Sequence, residues 1–137
     1  MGPKEDYVSI ETAQLLNEKG FDVPCRAAYI WNQGYELCTL FSKPIHFNRE
    51  GGLEDYDDTS VPRISAPTLQ VVMKWLREIH NLHITIDPYI TTKGVMYTYR
   101  IYNLARNKVS LLKAKGEFKN NESACEDAIR YCLETLI

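Results

Sequence analysis

The chain has 137 residues, 45% hydrophobic and 25% charged, with a formal net charge of −2. That length suits one domain, and that composition excludes global disorder. No apolar run approaches the roughly 20 residues that cross a bilayer, and Met1–Asp6 leads into no apolar stretch of a secretory signal.

The first predicted helix spans Ile10–Lys19, with Ser9 as its N-cap, Val8 placed to staple onto Ala13, and Gly20 as a left-handed stop. Its apolar stripe of Ile10, Ala13 and Leu16 is short, so it must lean on another element. Pro24 blocks an immediate second helix. Arg26–Phe41 then reads as a hairpin, in which Tyr29, Trp31, Tyr35 and Leu37 flank the three-residue loop Asn32-Gln33-Gly34. From Ser42 to Pro62 no period survives. Pro44, Gly51-Gly52 and the acidic run Glu54–Asp58 predict a long loop.

Periodicity returns at Ser65. Pro67 suits a first helical turn, and Leu69, Val72, Met73, Leu76 and Ile79 recur at helical spacing, predicting a helix over Pro67–His80. Two alternating runs follow. Leu82, Ile84 and Ile86 share one strand face, opposite His83, Thr85 and Asp87. In the next strand Val95, Tyr97, Tyr99 and Ile101 lie opposite Met96, Thr98, Arg100 and Tyr102. A third strand is read at Val109–Ala114. Ser123 and Glu126 form a capping box before a last helix whose stripe is Cys125, Ala128, Ile129, Cys132, Leu133 and Leu136.

The expected class is therefore α+β, an antiparallel sheet with helices packed on one face. The chain reads as a single domain, residues 1–137. A helix, hairpin and acidic loop occupy 1–64, and a helix–strand–strand–strand–helix core occupies 65–137. The hairpin is expected to extend that sheet or cover its edge. The core is expected to join Leu76, Ile84, Tyr97, Ile129 and Leu133.

No catalytic, metal or cofactor residue is assigned. Cys25, Cys38, Cys125 and Cys132 form no CxxC pair, and free thiols in a reducing cytoplasm are the expected state. His80 and His83 straddle a predicted helix end, so they read as capping or surface histidines rather than a chelate. The acidic run lacks the Gly and the bidentate Glu of a calcium loop, with Ser60 and Ala66 in those places. Cys25 and Cys38 have no neighbouring His to activate them.

Charge is unevenly spread. Residues 1–64 carry −5 and residues 88–121 carry +6, where Lys93, Arg100, Arg106, Lys108, Lys113, Lys115 and Lys119 alternate with tyrosines. Basic and aromatic groups on one sheet could hold phosphates and stack bases, through Arg100, Tyr102, Lys113, Lys115 and Lys119. Against this stands a solvated strand edge. Trp31 and Trp75 lie off the clearest stripes and are the candidate protein-binding residues.

Three family resemblances bear on these expectations. The order of elements from Ser65 resembles the double-stranded-RNA-binding fold. That family's loop His is absent from Tyr89–Gly94, and its lysine-rich helix start is replaced by Asn121-Glu122-Ser123-Ala124. Val8–Leu16 looks like the first helix of an excisionase, but Pro24 and a hairpin stand where a recognition helix belongs. Ser9–Phe21, Ala66–Ile86 and Glu122–Ile137 together resemble small uncharacterised proteins of Bacteroidetes prophages and mobile elements. This last resemblance implies the cytoplasm of a bacterial host and an accessory role. The expected function is accordingly non-catalytic: binding a protein partner, a second copy included, with weak nucleic-acid binding as the alternative.

Overall fold

In the computed structural model, residues 5–39, 41–48 and 62–137 are described. The chain is α+β, with two three-stranded antiparallel sheets among the described residues, and divides into two compact units, Met1–Thr68 and Leu69–Ile137. The acidic run Glu54–Asp58 and the Gly51-Gly52 pair lie outside the described residues.

In the first unit, α1 spans Ile10–Glu18. The Ser9 hydroxyl accepts from the Thr12 N–H at 3.2 Å, satisfying one of the donors a helix start leaves open. At the other end Gly20 adopts φ +85°. The Gly20 N–H then reaches the Asn17 carbonyl at 3.3 Å, and the Phe21 N–H reaches that of Leu16 at 2.9 Å. This is a Schellman stop, and both Leu16 and Phe21 are buried, as its apolar contact requires.

The hairpin forms where predicted, as β1 (Ala28–Trp31) and β2 (Tyr35–Cys38), with Trp31 opposite Tyr35 and Gly34 at φ +146° in the loop. It does not extend the C-terminal sheet. It pairs instead with β3 (Arg63–Ser65), in the order β2-β1-β3, and α1 packs against β3. The segment read as pure loop also contributes packing. Ile45 bridges Cys25 through two backbone bonds of 2.8 and 2.9 Å, and Ile45 and Phe47 are buried. The Asn48 amide donates to the Phe21 carbonyl at 3.0 Å while its oxygen accepts from the Ser65 N–H at 3.0 Å.

The second unit runs α2 (Leu69–His80), β4 (Leu82–Thr91), β5 (Gly94–Asn103), β6 (Ser110–Phe118), α3 (Asn121–Tyr131) and a π-helical turn over Cys132–Leu136. The sheet order is β4-β5-β6. α3 packs across all three strands, and α2 packs on β4 and α3. Leu76, Ile101, Ile129 and Leu133 are fully buried and Ile84 nearly so. Tyr97, expected in this core, is only half-buried; its neighbour on the same face, Tyr99, takes the place, 1% exposed.

Three further expectations are corrected. The last helix begins at Asn121 with Asn120 as N-cap, accepting from the Ser123 N–H at 2.7 Å, so Ser123 lies inside the first turn. β6 extends to Phe118, four residues beyond the predicted end. On α2 the inward stripe is Leu69, Val72, Trp75 and Leu76, while Ile79 is 63% exposed.

Candidate functional site

Strand pleating decides where the predicted basic cluster goes. Paired residues in an antiparallel ladder share a face, and successive residues alternate. Ile101 pairs with Lys113, and Tyr99 with Lys115, so these two lysines lie on the side that α3 covers. Arg100 pairs with Thr85 and Ala114, and Tyr102 with His83 and Leu111, on the opposite side. Lys119 follows β6 in the bend before α3 and is exposed. The sheet therefore divides the five residues, and they form no single surface.

On the α3 side, Lys113 and Lys115 help line a groove of about 380 Å³, together with Tyr99, Asp127, Arg130, Tyr131 and Glu134. The Lys113 ammonium lies 5.1 Å from the centre of the Tyr131 ring, within cation–π range. Lys115 sits 3.6 Å from Asp127, both side chains about half exposed, so the pair contributes little to stability. Arg130 donates twice to one Glu134 oxygen, at 3.2 and 3.3 Å, a pairing one helical turn apart. Tyr99 lies at the floor. Its burial raises the hydroxyl pKa above the ordinary tyrosine value, and a hydrogen bond to the Asp127 carboxylate raises it further. Sequence reasoning missed the helix wall of this groove. Asp127, Arg130, Tyr131 and Glu134 recur at three- and four-residue spacing beside the apolar stripe, but nothing local pairs them with β6.

The two tryptophans differ sharply. Trp75 is 8% exposed, its ring edge-on to His80 with centroids 4.7 Å apart, so it offers no surface to a partner. Trp31 is 49% exposed and meets Tyr35 edge-on at 5.2 Å. Register puts Tyr29, Trp31, Tyr35 and Leu37 on one hairpin face, and Leu37 is 42% exposed. Leu37 also borders a groove of about 530 Å³ along the edge strand β2, with Ile30, Asn32, Glu36, Cys38 and Thr39.

No disulfide joins any of the four cysteines. Burial pushes the Cys25 thiol up to about 11 and the Cys132 thiol up to about 12, so both stay protonated and poorly nucleophilic at neutral pH. Cys125 lies 3.4 Å from the Met73 sulfur, a contact between α3 and α2. His80 and His83 are both half-buried, one at the end of α2 and the other on the face of β4 opposite Ile84. Among the described residues, no three His, Cys, Asp or Glu side chains are grouped to hold a metal, and no helix is long and apolar enough to cross a membrane. No family model, curated protein or solved structure matches the chain.

Proposed function

We propose that the chain is a non-catalytic accessory protein that binds another protein through the hairpin face of its first unit. The observation that carries this reading is Trp31, half exposed, braced edge-on by Tyr35 and flanked by the exposed Leu37. A rigid aromatic beside an aliphatic neighbour is the kind of anchor that dominates protein interfaces, because it buries a large area at a small cost in side-chain entropy. The resemblance of Ser9–Phe21, Ala66–Ile86 and Glu122–Ile137 to prophage and mobile-element proteins supports the accessory role and the cytoplasm of a bacterial host.

Light scattering, and capture from a bacterial lysate, should be run on the wild type and on Trp31→Ala with Leu37→Ala. The reading expects self-association or one captured species that the double variant loses while its circular dichroism is unchanged. A strictly monomeric wild type that captures nothing, or a variant that captures the same species, defeats it.

The second reading is weak nucleic-acid binding through Arg100, Tyr102, Lys113, Lys115 and Lys119. It draws support from the +6 charge of residues 88–121 and from the helix–strand–strand–strand–helix order of the second unit. The separation of Arg100 from Lys113 and Lys115 by the sheet weighs against it, because phosphate tracking needs cations on one continuous path.

A further inference from the structure

We infer that the groove between β6 and α3 is a binding site for a small polyanion of phosphate-ester or polycarboxylate chemistry, with Lys113 as its primary contact. This goes beyond the hairpin reading and does not depend on it.

The charges inside the groove do not cancel. Three cations, Lys113, Lys115 and Arg130, face two carboxylates, Asp127 and Glu134. Both carboxylates are already engaged within the fold. Asp127 takes the Tyr99 hydroxyl and lies 3.6 Å from Lys115, and Glu134 takes both bonds from Arg130. Lys113 has no carboxylate within ion-pair distance among the described residues; its ammonium rests over the Tyr131 ring. A cation held in a concavity by an aromatic face keeps its charge available to an incoming anion.

Shape and valence narrow the ligand further. About 380 Å³ falls within the range of roughly 300–1,000 Å³ typical of small-molecule sites, and the buried Tyr99 gives the groove a fixed floor. A single carboxylate would satisfy Lys113 alone. A second negative oxygen group is needed to compete with Asp127 for Lys115 and with Glu134 for the planar fork of Arg130, which suits phosphate and carboxylate alike. Both existing pairs are half exposed and therefore exchangeable. A cationic ligand is disfavoured, since cations outnumber carboxylates in the lining and the group left without an ion-pair partner there is the Lys113 ammonium.

The test uses the full chain, titrated separately with pyrophosphate, citrate, spermidine and a short single-stranded oligonucleotide at low and physiological salt. Amide and side-chain NMR shifts provide the readout. Saturable one-to-one binding of pyrophosphate or citrate is expected, weakened by salt, with shifts centred on Tyr99, Lys113, Asp127 and Tyr131. Lys113→Gln, which keeps the packing of the aliphatic stem, should weaken binding about tenfold, the loss of one charge-assisted contact. Lys113→Arg should retain it, and Arg100→Ala on the opposite face should leave it unchanged. Oligonucleotide binding displaced by pyrophosphate would also support the site. The inference is overturned by no saturation at millimolar anion, by tighter binding of spermidine, by equal losses in Lys113→Gln and Arg100→Ala, or by oligonucleotide binding that pyrophosphate does not displace.

Discussion

The two units build three-stranded sheets by different means. In the second, strands of nine and ten residues form the sheet, β4 and β5 pairing residue for residue and β6 joining with two register shifts, and two amphipathic helices cover one face. In the first, the strands are three and four residues long, and the sheet depends on contacts between segments far apart in sequence. The Ile45–Cys25 bridge, the Asn48 side chain and the Tyr29 hydroxyl, which donates to the Val8 carbonyl at 2.6 Å, are of this kind. The second sheet is held by repeated apolar layers; the first has a buried core of its own, including Leu16, Phe21, Ile45 and Phe47, and adds single polar links that tie irregular backbone together. Losing a layer and losing a link should therefore carry different penalties.

The largest effect is expected in the layered unit. Leu76 is fully buried on α2, so Leu76→Ala should lower stability by ~2–5 kcal/mol, read from the shift in a denaturant midpoint. An unchanged midpoint would mean that the helix face is wrongly assigned. A smaller loss should come from the linked unit. Asn48→Ala removes the acceptor of the buried Ser65 N–H and one donor to the Phe21 carbonyl, at a cost of about 1–3 kcal/mol for the unpaired Ser65 donor. Amide exchange at Ser65 should quicken with it; if exchange there is unaltered, the Asn48 link is not what holds β3. Smaller again is Gly20→Ala. Nothing lies within 4 Å of the added methyl, so only the left-handed backbone resists it, costing about 1 kcal/mol in thermal or chemical unfolding.

The same contrast explains what could be read from the sequence. α2, β4, β5 and α3 each span several periods of their own structure, so Ile84, Leu76, Ile129 and Leu133 declared themselves by spacing. β3 has three residues and therefore no period, and Ile45 is bridged to Cys25, twenty positions away. The alternation of β6 is legible only as far as Ala114, because register shifts interrupt it and Glu117 sits at φ +70°. Such irregularity, with Lys113 and Lys115 on an edge strand, also discourages pairing with other sheets. On α2, Ile79 lies nearer the stripe in angle than Trp75 but falls in the last turn before Asn81, at φ +57°, redirects the chain into β4. Periodicity does not encode where an element runs out of cover. The candidate groove was illegible for a related reason: its two walls, β6 and α3, meet only in the tertiary fold.

The sheet separates Arg100 and Tyr102 from Lys113 and Lys115, so the basic residues offer nucleic acid no continuous path. Fluorescence anisotropy with labelled duplex RNA, duplex DNA and single strands, at low and physiological salt, tests it most directly. Binding should be weak at low salt and lost at physiological salt, as added salt reverses the release of counterions that drives it. Submicromolar binding at physiological salt, abolished both by Arg100→Glu and by Lys113→Glu with Lys115→Glu, would contradict the account, because one ligand would then need both faces of the sheet.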